Sequence, residues 1–86
     1  MNIYVGNLSS DTSEEDLKAV FGEYGLVASV MIARKKGGDS MGYAHIEMPL
    51  RDEGLSAIKA LSGRKLRGSS LIVAEVSERV KVHQTK

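Results

Sequence analysis

Eight residues, Met41-Gly42-Tyr43-Ala44-His45-Ile46-Glu47-Met48, alternate at period two: Gly42, Ala44, Ile46 and Met48 fall on one side, Met41, Tyr43, His45 and Glu47 on the other. Successive side chains of a strand point to opposite faces, so this pattern calls for a strand with one buried face and one outside the core. Asn2-Ile3-Tyr4-Val5-Gly6 repeats it, with Ile3 and Val5 on one side and Tyr4 on the other. Both segments send a tyrosine away from their aliphatic side. A chain holding them has to build a sheet that is covered on one face only.

Helical spacing supplies the cover. Ser13 stands where its hydroxyl can cap the amide of Asp16, and Glu14, Glu15 and Asp16 place negative charge at the positive end of a helix whose apolar positions are Leu17, Val20, Phe21 and Tyr24, with Gly25 as its stop. Gly54, Ala57, Ile58 and Leu61 recur at helical spacing over residues 51–61, and Gly54 is expected where helix and sheet approach closely. Between the helices, Val27 to Arg34 is β-prone, and Lys35-Lys36-Gly37-Gly38-Asp39-Ser40 is a basic turn leading into the tyrosine-bearing strand. After a loop from Arg64 to Ser69, Ser70 to Val76 reads as a last strand, and residues 77–86 as a polar, mobile tail. The order β-α-β-β-α-β suits one antiparallel sheet with two helices on a single face, an α+β sandwich. Ile3, Val5, Val30, Ile32, Ala44, Ile46, Leu71 and Val73 would then face the helices, and Tyr4, Met31, Tyr43, His45, Ile72 and Ala74 the solvent.

Length and composition narrow the function classes. A chain of 86 residues supports one core. It has no apolar run near the roughly 18 residues that span a bilayer. Its first residues show no basic segment followed by a long apolar stretch, so the cytoplasm is the expected compartment. The absence of cysteine excludes disulfides and thiolate metal sites, and His45 and His83 lie far apart without a ligand cluster. No cofactor or metal is expected. The net charge of +1 hides a polarity: residues 1–33 carry −4 and residues 34–86 carry +5. Cations gather at Arg34-Lys35-Lys36, at Arg64-Lys65 with Arg67, and at Arg79-Lys81-Lys86.

Ile3-Tyr4-Val5-Gly6-Asn7-Leu8 and Met41 to Met48 together resemble the six- and eight-residue motifs of the RNA-recognition motif family, and the resemblance spans residues 1 to about 76. It implies a ferredoxin-like fold with the two motif strands adjacent at the sheet centre and base-stacking positions at Tyr4, Tyr43 and His45. The chain's small size is similar to that of the single-domain members found in bacteria. Two departures stand out: Met41 replaces the lysine or arginine that opens the eight-residue motif, and His45 replaces an aromatic hydrocarbon ring. Both are expected to weaken generic RNA affinity.

The resulting expectation is a non-enzymatic module that binds single-stranded RNA, with single-stranded DNA as a second ligand. Bases stack on Tyr4, Tyr43 and His45, each worth about 1 to 3 kcal/mol. Met31 and Met41 line the same face, Arg34, Lys35, Lys36 and Arg79 meet phosphates, and Glu75 on the last strand reads base edges. A competing reading makes the apolar face with Met31, Met41 and Ile72 a surface for a protein partner or a weak dimer. A blander one makes Tyr4 and Tyr43 a cross-strand pair worth roughly 0.2 to 1 kcal/mol to the sheet. An enzyme on the same scaffold finds no support, since no cysteine nucleophile, carboxylate pair beside a histidine, or phosphate-cradling glycine loop with its lysine is present.

Overall fold

A computed structural model describes residues 1–76. In chain order the elements are β1 (Asn2–Gly6), α1 (Glu14–Gly22), β2 (Ser29–Arg34), β3 (Ser40–Glu47), α2 (Arg51–Leu61), β4 (Lys65–Leu66), β5 (Ser69–Ser70) and β6 (Ile72–Val76). Four strands form an antiparallel sheet in the order β2-β3-β1-β6, which puts the two tyrosine-bearing strands side by side at its centre. This is the predicted ferredoxin-like α+β sandwich. The predicted tail at 77–86, with Arg79, lies outside the described residues.

Helix α1 starts where its capping chemistry requires. Ser13 Oγ accepts from the Asp16 amide at 3.1 Å, and Asp16 Oδ2 accepts from the Ser13 amide at 3.0 Å, so each satisfies an amide of the first turn. The helix ends at Gly22, three residues before the glycine predicted to stop it, and the Tyr24 amide donates back to the Phe21 carbonyl at 3.0 Å. Gly25 does something else. With φ at +155°, a Cβ there would run into the side chain of Glu53, whose Oε1 accepts from the Leu26 amide at 2.8 Å. The glycine thus lets the loop after α1 press against α2.

The predicted close approach at Gly54 is present: a Cβ on this buried residue would run into the side chain of Met1 at the head of β1. Helix α2 lacks a side-chain cap at Leu50 and is held by burial of Gly54, Ala57 and Leu61. Leu17 and Phe21 of α1 meet Ile3, Val5, Ile32, Ala44, Ile46, Met48, Leu71 and Val73 in one core, with Val20, Tyr24 and Val30 at its margin. Burying side chains of this size contributes about 1.5 to 3 kcal/mol each.

Strand boundaries shift by one or two residues from expectation: β2 begins at Ser29 rather than Val27, β3 runs from Ser40 to Glu47 rather than from Met41 to Met48, and β6 begins at Ile72 rather than Ser70. Ser69 and Ser70 instead pair with Leu66 and Lys65 in a small hairpin that takes in most of the predicted loop and the first residue of the predicted strand. Its turn places Arg67 (φ +51°) and Gly68 (φ +86°) in the left-handed region, a conformation that matches the twist of a two-residue hairpin. Arg67 is held there by Asp16 on α1, with Nε to Oδ2 at 2.7 Å. No helix among the described residues is long and apolar enough to cross a membrane.

Candidate nucleic-acid interface

Register decides which side chains share the face opposite the helices. Met31, His45, Tyr4 and Ala74 stand in one row across β2, β3, β1 and β6. Tyr43 lies two residues before His45 on the same side of β3, and Ile72 pairs with Gly6 at the same end of the sheet. Ser29, Glu47, Asn2 and Val76 form the row at the other end.

The three predicted ring residues form a triangle. Ring centroids are 5.9 Å apart for Tyr4 and Tyr43, 6.3 Å for Tyr4 and His45, and 6.1 Å for Tyr43 and His45. The two tyrosine rings are inclined by only 30°, while His45 meets them edge-on at 74° and 79°. Such contacts stiffen the cluster without closing it, since a tilted pair leaves ring area turned outward. Both tyrosines are half-buried and His45 is exposed. Around them the face is apolar: Met31 is 69% exposed, Ile72 57% and Met41 50%.

At the motif end of the sheet, Gly42 takes φ +88° and its carbonyl accepts from the Leu8 amide at 2.9 Å, tying the loop after β1 to the start of β3. A side chain is strained at that angle, so this glycine serves the backbone just before Tyr43.

Two of the predicted contact residues point elsewhere. Glu75 pairs with core-facing Ile3, and its carboxylate meets the Arg51 guanidinium of α2 at 2.9 Å, on the helix side of the sheet. Its side chain is therefore not on the open face. Period-two counting from Val73 reveals this, because Glu75 falls on the same side as that buried residue. Arg34 turns toward α1, where Nη2 meets Glu14 Oε1 at 3.0 Å, and its Nη1 donates to the Gly38 carbonyl at 3.1 Å. It braces the basic turn against the helix. Lys35 and Lys36 remain exposed on that turn and make no ion pair among the described residues. The turn itself is closed by the Lys35 amide donating to Asp39 at 2.7 Å and the Gly38 amide to Lys35 at 2.8 Å.

Glu47 and Asn2 did not enter the sequence-based site, although their parity with His45 and Tyr4 puts them on the open face. Among the described residues, Glu47 is the one formally charged side chain there.

The model of the RNA recognition motif matches residues 3–72 of the chain. The "Putative RNA-binding protein RbpA" of Synechocystis sp. is 42% identical over 80 residues, covering 92% of this chain and 79% of that one. The solved structure of "RNA Binding Protein PG1" superposes with a TM-score of 0.87 at 39% identity, covering 92% of this chain and 96% of that one. The "Sxl-lethal protein/RNA complex" superposes with a TM-score of 0.85 at 31% identity, covering 88% of this chain and 46% of that one.

Proposed function

The chain belongs to the RNA recognition motif family, and from that premise we propose that it binds single-stranded RNA on the open face of its sheet. Bases stack on Tyr4, Tyr43 and His45, and the phosphates pass along the rim within reach of Lys35 and Lys36. The observation that carries this reading is the ring triangle, three aromatic side chains about 6 Å apart on a face that no helix among the described residues covers. Unstacked bases find π-surfaces there, and each stacked base contributes about 1 to 3 kcal/mol. Binding of RNA by relatives such as that of the Sxl-lethal complex supports the ligand class.

The exposed lysines of the turn suit backbone contacts, which position a strand without reading its sequence. Met31, Met41 and Ile72 extend the apolar platform around the rings. Arg34 and the Glu75 side chain take no part in this reading, because both are engaged on the helix side. No reaction is catalysed. The module binds, and the sheet supplies a rigid platform for doing so.

Titration of short single-stranded RNA into the wild type and the Tyr4→Ala, Tyr43→Ala double variant tests the mechanism. Affinity is expected to fall by roughly 2 kcal/mol or more in the double variant. Unchanged affinity rejects base stacking on this face.

The exposure of Met31, Met41 and Ile72 favours a second reading, a protein partner or second copy covering the same face. Sedimentation with and without RNA separates the two: a stable dimer that RNA does not dissociate supports the second.

A further inference from the structure

We infer that Glu47 makes this face selective for guanine and hostile to uracil; the inference rests on the base-stacking reading above. Glu47 stands two residues beyond His45 on β3, on the same side of the sheet, opposite Asn2 of β1 and Ser29 of β2. Two residues of strand carry it about 7 Å along the face. That is the reach from a base lying on the His45 ring to a partner of its polar edge. The Glu47 side chain is exposed and makes no hydrogen bond or ion pair among the described residues.

An ionised carboxylate is acceptor-only, with two oxygens side by side. Guanine presents two adjacent donors, N1–H and the N2 amino group, along its Watson–Crick edge and can meet both oxygens at once. Cytosine and adenine each offer one amino donor next to a ring nitrogen that is itself an acceptor. Uracil offers a single N3–H flanked by two carbonyl oxygens, which the carboxylate repels. The surroundings sharpen the choice. With no lysine or arginine on the open face among the described residues, a phosphate gains nothing over Glu47, and a base edge is the group that can satisfy it. A bidentate contact to a base edge is worth about a 5- to 100-fold preference over a base that cannot make it.

The test uses the full chain and four uridine hexamers in which one central nucleotide is U, C, A or G, read by fluorescence anisotropy. The wild type is expected to bind the guanine-containing hexamer roughly 5- to 100-fold more tightly than the all-uridine one. Glu47→Ala is expected to bring the two close to parity, and Glu47→Gln, which keeps one acceptor, to fall between. Because Glu47 is exposed and unpartnered among the described residues, neither variant disturbs the core. A guanine preference absent from the wild type, or one that Glu47→Ala leaves intact, overturns the inference while binding that depends on Tyr4 and Tyr43 keeps the stacking reading standing. A wild type that binds none of the four hexamers overturns both.

Discussion

The ring of Tyr4 lies back over Gly6, two residues further along β1, so closely that a Cβ on Gly6 would sit 2.9 Å from the ring's Cε2 and Cζ. The glycine is thus part of the platform: its missing side chain is the space the ring occupies. Gly6→Ala is expected to push the Tyr4 ring off its seat and lower RNA affinity toward that of Tyr4→Ala. Unfolding temperature should change little, because the clashing atoms belong to a ring free to swing outward. Ring chemical shifts of Tyr4 and an RNA titration on the same variant check both parts.

His45 is the ring that departs from an aromatic hydrocarbon. If it serves as a stacking surface, His45→Phe binds RNA at least as tightly as the wild type, and His45→Ala loses about 1 to 3 kcal/mol. Equal affinity in all three proteins shows that the side chain contributes no stacking.

Lys35 and Lys36 carry the proposed phosphate contacts. Replacing both by alanine is expected to weaken binding similarly for all sequences. It should also reduce the slope of log affinity against log salt by about 1.4, since each phosphate neutralised on a single strand contributes about 0.7. A slope that stays constant removes the turn from the interface.

Glu75 makes the opposite prediction. Its carboxylate meets Arg51 on the helix side, so Glu75→Gln leaves RNA affinity unchanged and costs stability only on the scale of an exposed ion pair, about 0 to 1 kcal/mol. Titration and thermal unfolding of the one variant measure both quantities.

Asp16 links pH to stability. Its hydrogen bond from Arg67, with the Ser13 amide second, holds its carboxyl at about 2, below the ordinary 3.8. Between these values the unfolded chain takes up a proton that the folded chain refuses, so stability falls as pH drops through this window. The contribution is complete above about pH 4 and lost below about pH 2. Asp16→Asn is expected to unfold at a lower temperature than the wild type at pH 5, with the gap narrowing toward pH 2. A gap constant over that range rules out the linkage.

Much of this molecule follows from local pattern. The alternation in Asn2–Gly6 and Met41–Met48 sorted Ile3, Val5, Ala44 and Ile46 from Tyr4, Tyr43 and His45, because a strand allows each side chain only two directions. The Ser13 cap on the Asp16 amide marked the start of α1 for a similar reason, since that hydrogen bond closes within four residues. Where partners came from distant segments, the sequence was silent. Gly25 reads as a helix stop until Glu53 is seen against it, and the hairpin around Arg67 depends on a bond to Asp16, 51 residues away.

The charged residues divide along the same line. Arg34 and Glu75 looked like ligand contacts because a charge in a sequence has no visible partner, and tertiary packing supplied Glu14 and Arg51. Strand parity, a local property, was enough to put Glu47 on the open side of the sheet. Register alone decided that Met31, His45, Tyr4 and Ala74 form one row, because pairing between strands is a long-range choice that backbone hydrogen bonds and the shared core make together. The sequence determined which way each ring points; the fold decided which rings meet.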